Sequence, residues 1–392
     1  KGGNINIAGG SSITTGSDNG VAVYYAGDGG TITNNANTIN IGDNSFGFVI
    51  KNDTLTTGNA LHSNTSNVNV GNRAVYIYSN DKLGNINNNT NLVSSGNENY
   101  AIYSDGIVTN TGNIDFSTGI GNVGIYSTNG GTATNNGTIS VGMSDIEPEN
   151  LDDRRYSIGM AGGYRNLDTG NIINNGTINV NGADSIGMYA TGEGSIARNN
   201  VGAKINLGAD GAIGMYLDEK SRGYNDGIIQ TTPGLKPKVA VGVVVRKNSE
   251  FTNYGNVIIN SDEGYAFFRT TGGVIKNYGN FTVTGGAEKE FVPGGKATGK
   301  SVGGVQIVAP AGALEAQILD ASGNIVNPTV VPKIAENVDA MTSSIGMYVD
   351  TLRGTNPING LSAIKVQKAD LIIGAEAAMN TQSKYIKVDQ GI

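Results

Sequence analysis

The 392-residue chain has no cysteine, one histidine, eight prolines and only 15% charged residues. Each shortage excludes something. Without cysteine there are no disulfides and no thiolate metal sites, a composition that suits a protein crossing compartments unfolded without mispairing. With His62 as the single imidazole, the common His-based triads, histidine zinc sites and Cys-His pairs are ruled out. His62 itself, in GNALHSNTSNVNV, reads as a surface loop residue. No apolar run approaches the ~20 residues of a membrane-spanning helix. The net charge of −7 comes without a dense Lys/Arg run, which argues against nucleic acid as a partner. There is no G-x-x-x-x-G-K-[ST] phosphate loop and no calcium-binding roll repeat, so no cofactor and no metal is expected.

What the chain has is turn and strand chemistry. It holds 60 glycines and 51 asparagines, and alternating apolar positions persist almost to the end, which points to an all-β protein rather than disorder. The phrase NNGTISV at 135–141 returns as NNGTINV at 174–180. Alone, Asn-Gly between alternating runs signals a hairpin. It recurs, however, as NTGNI at 110, NDGII at 225, NYGNV at 253 and NYGNF at 277, in step with a second phrase, the IGMY quartet and its variants. The fourth residues of the aligned quartets are Tyr24, Val49, Tyr76, Tyr103, Tyr126, Ala161, Tyr189, Tyr216, Val244, Phe268 and Tyr348, and eight of the ten steps between them span 23 to 28 residues.

A period near 26 holding three unlike segments is not a meander, which would place a turn every ~8–12 residues. The unit from Ser185 to Asp210 has Ile186 and Met188, then Ile196, then Ile205 and Leu207, separated by glycine-rich corners. It reads as one coil of a right-handed parallel β-helix with three strands per coil. Coils stack at about 4.8 Å, so roughly a dozen make a rod on the order of 60 Å. The corner asparagines are expected to adopt left-handed backbone geometry and to bond one another in a ladder along the axis. Whether the Tyr/Phe column faces in or out is left open.

Three places break the period. The stretch SDIEPENLDDRR at 144–155 carries Asp145, Glu147, Glu149, Asp152, Asp153, Arg154 and Arg155, a candidate partner-binding or divalent-ion loop, although its spacing does not follow a tight calcium loop. TTPGLKPK at 231–238 reads as a structural corner. The segment 285–340 reads as an irregular excursion or small β subdomain, with strands in VGGVQIVAP and GNIVNPTVVP and a helical turn in PKIAENVDAM. The chain thus divides into β-helix repeats over 1–284, the excursion 285–340, and final coils or a cap over 341–392. Asp18, Asp115, Asp184, Asp210 and Asp226 sit mostly at corners without gathering by phase, so no catalytic residue is assigned and no enzyme is expected. Asn-x-Ser/Thr sequons at Asn64, Asn136, Asn175 and Asn280 follow from composition.

The NNGTI and IGMY repeat, followed by IGMYVDTLRGTNPINGLSAIKVQKADLIIGAEAA at 345–378, resembles the passenger regions of large autotransporter adhesins of the fusobacterial outer membrane. The resemblance implies type V secretion through a C-terminal β-barrel absent from these residues. It also implies a cell-surface location outside the outer membrane and attachment to a protein or glycan of host cells or other bacteria. A monomer is expected. The alternatives from other classes are a β-helix lyase or hydrolase acting on polysaccharide, and a trimeric β-roll adhesin.

Overall fold

In the computed structural model, the described residues are 2–52, 56–149, 153–165, 167–270 and 272–291, with the backbone of five short strands beyond. From Asn4 to Phe291 the strands follow one another in a fixed rotation through three sheets, each pairing in parallel with its equivalent one coil away, and Asn280–Gly285 also pairs antiparallel with Gly304–Val308. Sheet I runs from Asn4–Ile7 to Val274–Asn277, sheet II from Ser12–Thr14 to Asn280–Gly285, and sheet III from Val21–Ala26 to Glu288–Phe291. The result is an all-β solenoid of eleven coils, three strands each, with no helix among the described residues. At about 4.8 Å per coil the rod is on the order of 50 Å long.

The core is a set of columns. In sheet II, Ile114, Ile139, Ile178, Ile205 and Ile229 lie in register and are all fully buried. In sheet III the inward column passes through Ile125, Met160, Met188, Met215 and Val243. Each such side chain contributes about 1.5–3 kcal/mol by burial, yet only when the coils above and below cover it. One inward assignment is corrected. In the strand Ile196–Asn199 the buried positions are Ala197 and Asn199, and Ile196 faces outward, half-buried.

The corner asparagines form the expected ladder. Asn88, Asn110, Asn135, Asn174, Asn199, Asn225, Asn253 and Asn277 each end a sheet I strand, and the Nδ2 of each of the first seven donates to the next Oδ1 at 2.7–2.9 Å, while the Asn277 Nδ2 at the end has no partner among the described residues. Along this buried column the amides satisfy one another, which an apolar interior could not do for them. The backbone geometry expected there is not found. Neither Asn135 nor Asn136 has positive φ, and neither does Gly137. Glycine is needed because the coils approach so closely: a Cβ on Gly137 would lie 2.0 Å from the Gly112 carbonyl oxygen, and one on Gly176 would lie 2.0 Å from that of Gly137. Left-handed residues such as Asp184, Glu219 and Asn248 sit at other corners.

Register also corrects the aromatic column. Tyr78, not Tyr76, pairs with Val49 and Tyr103. Tyr76 points into the core, where its hydroxyl lies 2.6 Å from Ser63 Oγ. Ser63 occupies the Asn position of its coil, between Asn34 and Asn88. A short rung is therefore completed by a phenol from the neighbouring sheet.

Of the segment 285–340, the described backbone includes Gly304–Val308 and an antiparallel pair, Ile318–Leu319 with Ile325–Val326. Of 341–392 it includes Ser344–Val349 paired in parallel with Lys368–Ile373. The remaining expectations for both segments, the helical turn in PKIAENVDAM included, fall outside the described residues.

Asn174→Leu keeps the branching at Cγ, adds bulk and breaks the ladder, leaving one Asn135 amide N–H and the Asn199 acceptor unpaired in the core. The expected cost is about 1–3 kcal/mol for each orphaned group, measured as faster amide exchange in the strands 131–135 and 196–199. Exchange several coils away should stay unchanged, because each coil touches only its neighbours.

Candidate functional site

The acidic stretch leaves the solenoid between the strands Thr138–Met143 and Ile158–Gly162, at the corner from sheet II to sheet III. Its neck is closed by backbone pairing. The Asp145 N–H donates to the Arg155 carbonyl at 2.8 Å, and the Arg155 N–H donates back at 2.9 Å. Beyond the neck the candidate residues do not converge. Arg155 reaches Glu98 two coils below at 3.0 Å, passing over the Gly121 corner, and Arg154 Nε donates to the Pro148 carbonyl at 3.0 Å. Glu147, Glu149 and Asp153 are exposed, and Asp152 lies outside the described residues. No group of three or more acidic or histidine side chains placed to hold a metal occurs among the described residues. The corner 231–238 is a tight turn in which the Leu235 N–H donates to the Thr232 carbonyl at 2.9 Å. His62 lies in the strand Ala60–Ser63 with its side chain exposed, beside Asn87.

A different site emerges on the outer face of sheet III. The fourth position of the IGMY strand faces outward in each coil, giving an aromatic column through Tyr78, Tyr103 and Tyr126, then Tyr189 and Tyr216. The rings touch along the axis: Tyr78 and Tyr103 stack at 5.4 Å, Tyr103 meets Tyr126 edge-on at 4.9 Å, and Tyr189 meets Tyr216 at 5.6 Å. Tyr100 packs beside the column, 6.3 Å from Tyr126. Between Tyr126 and Tyr189 the rung is Ala161. The missing ring opens a cleft of about 430 Å³.

The chain dips out of its coil beside this gap. After Gly162 the residues 163–169 form a short protruding turn, closed where the Tyr164 and Asp168 backbones bridge. Gly163 starts it with φ +80°, and a Cβ there would fall 2.1 Å from the Thr191 carbonyl oxygen, so only glycine fits. The Tyr126 hydroxyl donates to the Gly163 carbonyl at 3.0 Å, holding the turn against the column. Asp168 is drawn inward, and its Oδ2 accepts from Thr128 Oγ1 at 2.5 Å. Its Oδ1 is buried with no hydrogen-bond partner among the described residues. At the tip, Tyr164 is 47% and Leu167 77% exposed. A second cleft of about 350 Å³, lined by Leu167, Asp168, Thr169, Glu193 and Lys220, adjoins the same turn, so Asp168 borders both hollows.

The electrostatics follow from partial burial of phenols beside carboxylates. Burial, then the Asp105 charge, pushes Tyr103 up to about 12. Burial does the same to Tyr189, and it raises Tyr126 further. Burial also raises Asp105, against an opposing hydrogen bond from Asn129. The stripe is therefore neutral and amphipathic at physiological pH, with ring faces and phenol edges available.

The family model described as BigA third pectate lyase-like domain matches residues 1–200 and again 195–303. The chain belongs to that family. No curated protein and no solved structure matches it.

Because these phenols titrate above the ordinary tyrosine range near 10, the folded state holds protons that an unfolded chain releases. Their contribution is intact below pH ~10 and is lost as pH rises through about 12. Thermal unfolding followed from pH 8 to 12 should show a flat Tm that falls only above ~10, accompanied by late-ionising tyrosines in the absorbance at the phenolate band. Uniform ionisation near 10 with no loss of stability would contradict the burial of the column.

Proposed function

We propose that this member of the pectate lyase-like β-helix family is an attachment segment of a bacterial surface protein. In this reading the solenoid is a rigid spacer, and binding is done by features that leave its regular surface. The observation that carries it is the cleft beside Ala161. There a ring-lined hollow, exposed Tyr164 and Leu167, and the Asp168 carboxylate occur together on an otherwise regular face. Concave sites of mixed ring and polar lining are the usual form of ligand pockets. The acidic protrusion at 144–155 emerges one corner before the strand that carries Ala161, so both project from neighbouring parts of one coil. Secretion as a type V passenger, tethering through a barrel, a location outside the cell, a monomeric state and a host or bacterial protein or glycan as partner complete the reading. They rest on the resemblance of the repeat to fusobacterial adhesins.

The family name keeps a polysaccharide-cleaving reading in view. Glycoside hydrolysis requires two carboxyl groups set across a scissile bond. Asp168 supplies the one carboxyl group at the cleft, and the other lining residues are tyrosines, aliphatics, Gly163, Thr191 and the rim residue Arg165.

Beads coated with the chain are expected to attach to cultured epithelial cells or to other bacteria several-fold above albumin-coated beads. Attachment at the albumin level would remove the adhesion reading. Release of reducing or unsaturated sugar ends from a polysaccharide panel would replace it with the enzymatic one.

A further inference from the structure

We propose that the cleft at the missing tyrosine rung binds one neutral pyranose ring of a glycan, and that it discriminates against uronate sugars. This deepens the attachment reading above by naming the ligand class of the same site. Tyr126 and Tyr189 are two coils apart, so their rungs are separated by two strand spacings, about 9.6 Å. A single ring in van der Waals contact on both faces, at ~3.5–4.0 Å each, needs roughly 7–8 Å. One ring fits in this slot, and the cleft volume of about 430 Å³ leaves room for its substituents.

The chemistry of the lining selects the ring. The walls offer tyrosine rings, whose apolar bodies suit the C–H face of a sugar and whose hydroxyls exchange hydrogen bonds with sugar hydroxyls. Asp168 lines the cleft, and a carboxylate there accepts hydrogen bonds from a ligand that brings hydroxyl donors. A purely apolar ligand makes no such bond. A uronate brings a second negative charge to a site that already holds Asp168, with Asp105 behind Tyr103. The cation of the lining, Arg165, lies at the exposed rim with its guanidinium carbon 5.5 Å from the centre of the Tyr164 ring. A neutral hexose or N-acetylhexosamine meets all of these conditions, in contrast to the acidic polymer in the family's name.

The test uses the full chain with saturation-transfer NMR and calorimetry against methyl galactoside, methyl glucoside, N-acetylglucosamine, N-acetylgalactosamine and trigalacturonate. At least one neutral sugar should bind at millimolar affinity, and trigalacturonate about tenfold more weakly or not at all. Ala161→Tyr restores the rung carried by the coils on either side, so it should fold with an unchanged Tm and lose at least about tenfold in affinity. Asp168→Asn keeps the side-chain shape, should weaken neutral sugars several-fold, and should narrow the gap to trigalacturonate. The proposal fails if no neutral sugar binds, if trigalacturonate is preferred, or if folded Ala161→Tyr retains wild-type affinity. Cell attachment that depends on Ala161 while no sugar binds would assign the cleft to a protein ligand and overturn the glycan class. Loss of sugar binding in Ala161→Tyr with bead attachment intact would support the site and detach it from the adhesion reading.

Discussion

Within the solenoid, each interior strand has its backbone groups satisfied by the equivalent strand one coil above and one coil below. That single constraint forces equivalent residues into columns about 4.8 Å apart, and the rest of the structure follows from what each column can tolerate. Inward columns must be apolar or mutually satisfying, hence the isoleucine ladder of sheet II and the amide ladder of sheet I. Corner columns must let backbones approach, hence glycine at 137 and 176. Outward columns are free to differ. The tyrosine stripe uses that freedom, and inter-coil ion pairs such as Lys220 with Glu193 and Lys276 with Glu250 occupy other outward positions, where solvent screens them.

Much of this is legible in the sequence because stacking imposes periodicity. The repeat near 26, three strands per coil and the amide ladder can all be read from NNGTI and IGMY. What resists reading is local phase. Sheet III strands do not alternate simply: the pairing skips the glycine of each quartet, so Ile186 pairs with Ile213 and Met188 with Met215, while Gly187 and Met188 are both buried. A reader who assumes strict alternation therefore cannot tell Tyr76 from Tyr78, although one is core and the other surface. The same assumption turns Ile196 inward in place of Ala197. The role of the corner glycine is hidden for another reason. Positive φ and close approach select the same residue, and only coordinates distinguish them.

The cleft was the least legible feature. The acidic stretch announces itself by lengthening a step to 35 residues, whereas the turn at 163–169 sits within a step of 28 and hardly disturbs the count. The signal was present as Ala161, the one alanine among the aligned fourth positions, but a small residue in a column reads as tolerance until the neighbouring rings are seen to face outward. Once they do, an absent rung becomes a hollow of defined height. The register that builds the rod thereby also sets the dimensions of its candidate site, and the turn that supplies Asp168 is held in place by the rung before the gap, through the Tyr126 hydroxyl.

The claim that axial register makes the site is tested most directly by a crystal structure of the chain soaked with a bound neutral saccharide. The account predicts a single sugar ring between Tyr126 and Tyr189, above Ala161, with a hydroxyl donating to the Asp168 carboxylate. Density for the sugar elsewhere on the rod, with the slot between those two rungs empty, would contradict it.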